Sequence, residues 1–155
     1  DFTQIASDGS AAEGQILMRR PSRLKITYDG VPALNLISTS VWLHVDQPDE
    51  RRVTSYPISE TPLSLILTDP VSLRPAGYET IVTARAGGIT HIAINKDNGE
   101  GAGRLTLEFT DRPFQLRRWI VEDVAGVKTS VTLQNMVFGL PVENAEFSLP
   151  NYLNQ

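Results

Sequence analysis

The stretch that decides the fold is Thr61-Pro62-Leu63-Ser64-Leu65-Ile66-Leu67-Thr68-Asp69-Pro70, which interrupts a chain of short amphipathic segments. Thr61 belongs to the residue types that cap helices, and Pro62 suits the first helical position, where a missing N–H costs nothing. Pro70 ends the helix because proline disfavours helical geometry in the residue before it. The stretch therefore predicts a short helix near residues 61–69.

This helix is apolar over most of its circumference. Leu63, Ile66 and Leu67 share one face of it, whereas Leu65 points in another direction. A helix of this length is not stable alone in water, and one that is apolar nearly all round should be covered on more than one side. It therefore either fills the core of a β structure or covers an apolar cavity.

The rest of the chain predicts strands separated by turn residues. Within 23–29, for example, Leu24, Ile26 and Tyr28 fall on one face of a strand. Strands are predicted over residues 2–6, 13–20, 23–29, 34–38, 41–46, 52–56, 78–86, 89–95, 104–110, 114–122 and 128–137. The tail over residues 139–150 is predicted to be irregular, with Phe147 and Leu149 as its anchors. About eleven antiparallel strands and one helix predict a mainly β fold, an unclosed antiparallel β-barrel or strongly curved sheet. No repeat or linker divides the chain, so residues 1–155 are expected to form a single domain.

Composition excludes several classes of protein. A formal net charge of −4 without a dense Lys/Arg run argues against a nucleic-acid binder. The absence of cysteine excludes disulfides and thiol chemistry. No apolar run approaches the roughly 20 residues that a membrane helix needs. The chain opens within a strand pattern at Phe2, which suggests that a segment upstream, such as a signal peptide, has been removed.

Candidate catalytic chemistry is sparse. His44 and Asp46 lie on one face of a predicted strand and suggest a metal or acid–base pair, but a metal needs three or four convergent ligands. The other histidine, His91, lies in a different hairpin, so the favoured interpretation of His44 is a partly exposed strand histidine. The glycine-rich run 99–103 leads into a strand and predicts a hairpin loop, not a phosphate site. We therefore predict no catalytic residue, no metal ligand and no cofactor, and we do not expect an enzyme.

An unusual charge pattern lies at Arg19-Arg20-Pro21, where two arginines end an apolar strand and proline turns the chain into the next one. Two interpretations are open. The arginines form a solvated cluster at a sheet edge, as surface arginines usually do. Alternatively, one of them folds back over the mouth of the barrel, where its planar fork of donors binds backbone carbonyls or a ligand head group.

A set of short motifs runs in order through almost the whole chain. The set is Phe2-Thr3-Gln4, Asp8-Gly9-Ser10, Glu13-Gly14, Arg19-Arg20-Pro21, Trp42-Leu43, Thr61-Pro62-Leu63 and residues 119–123. No single motif is specific, but in order and spacing the set resembles the periplasmic outer-membrane lipoprotein carriers, the LolA-like proteins. The resemblance implies an unclosed antiparallel barrel with helices over its opening, which encloses an apolar cavity for acyl chains.

The resemblance also implies residue roles and a function. Arg20 matches the basic residue that fastens the lid, and the lid helix is matched by Pro62, Leu63, Leu65 and Ile66. The family's amphipathic first helix would lie before Phe2 and is not in this sequence. The implied function is a periplasmic carrier that binds lipoprotein acyl chains and ferries them from the inner to the outer membrane. The implied partners of this monomeric carrier are lipidated proteins, an inner-membrane lipoprotein-releasing transporter and an outer-membrane acceptor.

Apolar side chains supply what such a carrier needs, since hiding acyl chains contributes about 0.8 kcal/mol per buried methylene. The inward residues that we predict to contact acyl chains are Leu24, Ile26, Leu36, Leu43, Leu107 and Phe109. A plain barrel core is the competing interpretation, because core and cavity lining look identical in sequence.

Two other classes of function remain open at this point. A periplasmic sensor or interaction module of the same fold would bind a lipid or lipoprotein without transporting it, since fold alone does not fix function. A lipid-modifying or hydrolytic enzyme would need His44 and Asp46 to converge with a nucleophile. A polar cluster at the cavity floor would indicate the enzyme. Mislocalised outer-membrane lipoproteins after depletion would indicate a carrier and not a sensor.

Overall fold

The computed structural model of the protein describes residues 1–96, 103–123 and 125–152. The chain groups into two compact units. Unit 1 comprises Asp1, Glu13–Val71 and Val137–Gln155, and unit 2 comprises Phe2–Ala12 and Ser72–Met136. That residues 1–155 form a single domain stays a prediction. The hairpin loop predicted over 99–103 lies outside the described residues, apart from Gly103.

Eleven strands of the described residues form one antiparallel sheet. They are β1 Phe2–Ala6, β2 Ala11–Arg19, β3 Arg23–Tyr28, β4 Leu34–Ser38, β5 Trp42–Gln47, β6 Arg52–Pro57, β7 Tyr78–Ala86, β8 Ile89–Lys96, β9 Arg104–Asp111, β10 Phe114–Glu122 and β11 Lys128–Leu133. Their order is β6-β5-β4-β3-β2-β1-β11-β10-β9-β8-β7, and the strands at its two ends leave the sheet unclosed. The predicted mainly β, unclosed antiparallel fold is confirmed, and the term barrel fits it only in part.

In unit 1, one face of strands β3 to β5 is apolar. Residues directly opposite each other in a sheet share a face. Ile26 pairs with Leu36, and Ser38 pairs with Leu24 on one side and Leu43 on the other, so these five side chains lie together. Ser38 is fully buried, and its hydroxyl accepts the backbone N–H of Leu24 at 2.9 Å. The hydroxyl of Ser38 is therefore satisfied although it lies among apolar side chains.

In unit 2, the hairpin of β7 and β8 turns at Gly87 and Gly88, whose φ angles are 62° and 74°. A two-residue turn with positive φ at both positions matches the twist of the flanking strands, and glycine adopts it without strain. The apolar core of this unit consists of Phe2, Ile92, Ala93, Ile94, Leu105, Leu107, Trp119 and Val131. A β-bulge interrupts β10 between Leu116 and Arg118, opposite an unbroken β9.

The helix of the deciding stretch is present but shorter than predicted. Helix α1 spans Ser64–Leu67, whereas the sequence predicts a helix near 61–69. Thr61 does not cap it, because the N-cap position is Leu63 and the hydroxyl of Thr61 donates to the Ile58 carbonyl at 2.8 Å. Thr68 is extended, so the helix ends before the proline that was expected to end it. Among the described residues, no helix is long and apolar enough to cross a membrane.

The last strand is also shorter than predicted. β11 ends at Leu133, whereas the alternating pattern continues to residue 137. Asn135 adopts a φ of 50°, in the left-handed region that an extended strand does not contain. The other strands agree with the prediction to within two residues at each end.

The C-terminal segment, which we define as residues 137–152, is irregular as predicted and contains a 3-10 turn over Asn144–Phe147. Phe147 is only 4% exposed, which confirms it as an anchor of this segment. Leu149 is 40% exposed, so its prediction as a second anchor is wrong. The reason is that the 3-10 turn packs against β3, and Leu149 follows beyond the end of that turn.

Candidate functional site

Arg20 connects the end of β2 to helix α1. Its guanidinium donates to the carbonyl of Ile66 at 2.5 Å and to the carbonyl of Thr68 at 2.6 Å. Carbonyls at the end of a helix have no partner within the helix, and a charged donor satisfies them well. This contact agrees with the expectation for Arg20, although its role in fastening a lid belongs to the proposal below.

Two of the four side chains of the helical turn are buried. Ile66 and Leu67 are 8% and 5% exposed, whereas Leu63 and Leu65 are half-buried and Pro62 is exposed. One turn of helix has little stability of its own. The segment is therefore held by two buried apolar side chains together with the hydrogen bonds that it accepts from the end of β2.

Four of the predicted acyl-contacting residues lie in unit 1. Leu24, Ile26 and Leu43 are 0%, 4% and 8% exposed, and Leu36 is half-buried. The strand register places all four on the same face of neighbouring strands.

The other two lie in unit 2. Leu107 is 2% exposed and Phe109 is half-buried, and the two are separated by one residue of β9, so they share a face. Phe109 stacks on Phe114, with ring centroids 4.6 Å apart and planes 6° from parallel. Core and cavity lining are both buried, so the assignment of the six residues to acyl chains stays a prediction.

The neighbour of Arg20 binds a different part of unit 1. Arg19 donates to the carbonyl of Val142 at 2.9 Å and to the side-chain oxygen of Asn144. Its guanidinium carbon also lies 5.6 Å from the ring centroid of Phe147, a cation–π arrangement. The interpretation of the two arginines as a solvated edge cluster is therefore wrong, because each has acceptors within the protein.

Further polar contacts attach the C-terminal segment to the strands. The ammonium of Lys25 lies 3.7 Å from the carboxylate of Glu146, and the hydroxyl of Tyr152 donates to Asp46 at 2.5 Å. The hydrogen bond to Asp46 raises the pKa of Tyr152 to about 12, because a phenolate would lose it. The register places Arg19, Lys25 and Asp46 on the face opposite the apolar face described above. The C-terminal segment is therefore attached to the second face of these strands.

His44 and Asp46 lie on this second face and are 8% and 4% exposed. The prediction of a partly exposed His44 is wrong, because the face that alternation assigns to solvent carries the C-terminal segment. Burial lowers the pKa of His44, which favours its neutral form. Its ring nitrogen Nδ1 lies 2.8 Å from the hydroxyl of Ser55.

The two residues do not form an acid–base pair. Asp46 accepts hydrogen bonds on one oxygen from Asn35, at 2.9 Å, and on the other from Tyr152. A nucleophile triad would need a carboxylate bound to the histidine ring, whereas hydrogen bonds join Asp46 to Asn35 and Tyr152 and join His44 to Ser55. The part of the chain that the structure describes also contains no group of three or more His, Cys, Asp or Glu residues that could hold a metal ion. The contact that the structure gives to the His44 ring is its hydrogen bond with Ser55 on the neighbouring strand.

Sequence reasoning missed several contacts of this site. The partners of Arg19 and Tyr152 lie more than a hundred positions away, and the acceptors include backbone carbonyls, which carry no sequence signature. For the contacts of the C-terminal segment, the sequence offered one signal, which was the apolar residue Phe147. The sequence also did not predict a cavity of about 450 Å³ in unit 2. Its lining residues are Gly87, Gly88, Ile89, Thr110, Asp111, Arg112 and Arg117.

Comparison with known proteins agrees with the fold and with the motifs. The sequence matches the family described as outer membrane lipoprotein carrier protein LolA over residues 1–150. No curated protein matches the chain. Because the family match covers nearly the whole chain, the resemblance predicted from the ordered motifs is confirmed. The chain therefore belongs to the LolA family of outer membrane lipoprotein carrier proteins.

Proposed function

We propose that this chain is a periplasmic carrier that binds the acyl chains of lipoproteins in an apolar cavity and ferries them from the inner to the outer membrane. Family membership gives lipoprotein carriage in general. The observation that supports the fuller proposal is the pair of hydrogen bonds from Arg20 to the carbonyls of Ile66 and Thr68. They tie an apolar turn to a strand through contacts that can break and re-form.

In this proposal residues 61–69 act as the lid. A carrier must release its cargo, so the open and closed states of the lid need similar free energies. Hydrogen bonds from a charged donor contribute about 1.5–3 kcal/mol, enough to shift a lid from mostly closed to mostly open. Leu63 and Leu65 are half-buried, and we assign them, together with Ile66 and Pro62, to the surface that moves with the lid.

The acyl chains contact apolar side chains in this proposal. We assign these contacts to Leu24, Ile26, Leu36 and Leu43 of unit 1 and to Leu107 and Phe109 of unit 2. Each buried methylene contributes about 0.8 kcal/mol without directional requirements, so a carrier accommodates acyl chains that belong to different proteins. No bond is made or broken, and the carrier needs neither a cofactor nor a catalytic residue.

The partners follow from the route. Lipidated proteins are the cargo, an inner-membrane lipoprotein-releasing transporter delivers them, and an outer-membrane acceptor receives them. The carrier works as a monomer and as a single domain in this scheme. A periplasmic sensor or interaction module of the same family is the alternative, and it would share the binding step but not the delivery.

The binding step is tested with the full chain and an environment-sensitive fatty-acid probe. We expect saturable binding, displacement by a triacylated lipopeptide, and an exchange rate that Arg20→Leu changes by about tenfold or more. The matched control is Arg23→Leu, since the side chain of Arg23 makes no hydrogen bond or ion pair with any residue that the structure describes. Absence of probe binding to the wild-type chain would contradict the proposal.

The transport step is tested in cells. Depletion of the chain should leave outer-membrane lipoproteins in the inner membrane, as shown by membrane fractionation. Probe binding combined with normal lipoprotein localisation would instead support the sensor.

A further inference from the structure

Two neighbouring arginines of β10 have different surroundings. Arg118 donates to both carboxylate oxygens of Glu108, at 2.7 Å from Nε and 2.5 Å from Nη2. Glu108 is 5% exposed, and its carboxylate raises the pKa of Arg118 above the usual value. The side chain of Arg117 is exposed and makes no hydrogen bond or ion pair with any described residue. One arginine is therefore neutralised and the other is not.

The β-bulge in β10 produces this difference. Leu116 pairs with Phe109 and Arg118 pairs with Glu108, so Arg117 has no partner across the ladder. A bulge leaves its extra residue unpaired and re-aims the side chain, and bulges are frequent next to functional sites. Without the bulge, Arg117 would stand opposite Glu108.

Arg117 lines the cavity of about 450 Å³ in unit 2, and so does Arg112 in the turn between β9 and β10. A cavity of this size lies within the range of small-ligand sites, about 300–1,000 Å³. The side chain of Arg112 is likewise exposed and has no hydrogen bond or ion pair within the described parts of the chain. Two such guanidinium groups in one cavity attract an anion.

The other lining groups narrow the choice of ligand. Gly87 and Gly88 have open space where a Cβ would be, so a ligand can approach the backbone of this turn. The hydroxyl of Thr110 donates to a backbone carbonyl at 2.6 Å and is not available as a donor. Asp111 accepts the hydroxyl of Thr90 at 2.7 Å and adds one negative charge to the lining. Two arginines and one aspartate leave one net positive charge.

We propose that this cavity binds a phosphate group, with the guanidinium groups of Arg112 and Arg117 as its donors. Arginine binds phosphate through two parallel N–H donors, and a phosphate has enough oxygens to serve two guanidinium groups, whereas a carboxylate has only two. Free phosphate and the phosphodiester of a phospholipid headgroup present the same chemistry to this site. All lining residues belong to unit 2, so the site is independent of the proposed lid and goes beyond the carrier function.

Phosphate titration of the ¹⁵N-labelled full chain tests the site, with sodium chloride used to keep the ionic strength constant. We expect saturable shifts at the amides of Gly87 and Gly88, and binding weakened about tenfold or more by either Arg112→Gln or Arg117→Gln. Arg74→Gln is the matched control, because it removes a charge from an exposed arginine of the same unit that does not line the cavity. Shifts that do not saturate, or an Arg74→Gln variant that weakens binding equally, overturn the proposal.

Vesicle sedimentation then distinguishes the two sources of phosphate. Sedimentation with phosphatidylglycerol vesicles that Arg112→Gln abolishes and free phosphate inhibits supports a lipid headgroup as the ligand. Saturable phosphate shifts without sedimentation support free phosphate. If neither arginine substitution reduces sedimentation, a role of this cavity at the membrane is contradicted. The phosphate titration then decides whether the cavity binds free phosphate.

Discussion

Arg19 and Arg20 are adjacent in the chain, but their guanidinium groups bind two segments that are distant in sequence. Arg19 donates to the C-terminal segment at Val142, whereas Arg20 donates to the end of helix α1 at Ile66. Arg19 is the last residue of β2 and Arg20 is the first residue of the turn that follows, so the end of one strand reaches both segments. The two contacts can therefore be removed one at a time.

The first prediction concerns this separation. We expect Arg20→Leu to accelerate amide hydrogen exchange at Ile66 and Leu67 by about tenfold or more while Phe147 keeps its protection, since local opening exposes only the released segment. Arg19→Leu should have the converse effect. Nuclear magnetic resonance exchange measurements on both variants check it. Equal acceleration of both segments in either variant would show that they open together.

The second prediction concerns the anchor of the C-terminal segment. Phe147 is 4% exposed, and truncation of a buried phenylalanine to alanine costs about 3–5 kcal/mol. Phe147→Ala should therefore lower the free energy of unfolding by that amount in urea titrations. Phe138→Ala is the control, because Phe138 is 74% exposed and its truncation should change stability by less than about 0.5 kcal/mol. A similar loss in both variants would argue against Phe147 as the anchor.

The third prediction is a pH dependence caused by His44. Burial lowers its pKa below 6.5 in the folded chain, while the unfolded chain keeps the ordinary value. Between these two values the unfolded state binds more protons, so the free energy of unfolding falls as the pH decreases through that window. Above the ordinary histidine pKa, the contribution of neutral His44 to the free energy of unfolding is fully present.

His44→Gln should reduce this fall in stability between about pH 7.5 and about pH 5.5, because it removes the group that titrates there. Urea titrations at both pH values measure the difference. His91→Gln serves as the control, since His91 is a partly exposed histidine of unit 2. If the His44→Gln variant loses as much stability as the wild type, the dependence has another origin.

The fourth prediction concerns the ion pair in unit 2. Arg118→Leu leaves the carboxylate of Glu108 buried without its charged partner, which costs about 1–3 kcal/mol. Denaturant titrations of the wild type and of both arginine variants check this, with Arg117→Leu as the control. An equal loss in the Arg117→Leu variant would contradict the proposed cause.

Most of the fold was predictable because period-two alternation is a local property of each strand. β3 shows this clearly, since Leu24 and Ile26 are the buried residues that alternation assigns to the interior. The bounds of α1 were less predictable, because Thr61 uses its hydroxyl for the Ile58 carbonyl in place of capping the helix. Which of two acceptors a hydroxyl takes depends on the folded backbone, which a residue type does not specify.

The candidate site was predictable only where a family motif carried it. The contact of Arg20 with the helix follows from the resemblance and has no local signal in the sequence. The burial of the face that carries His44 and Asp46 was not predictable, because it depends on a segment far along the chain. The position of Arg117 was not predictable either, because it depends on one unpaired residue in a ladder, and alternation alone does not fix register.

The C-terminal segment has a consequence for the freedom of β5 to vary. An amphipathic strand normally tolerates replacement at every second position, where side chains meet only water. In β5, Leu43 is buried on one face while His44 and Asp46 are buried on the other. This strand has few neutral positions, and a change of size at Asp46 has to be matched by a change at Tyr152, which lies 106 positions later.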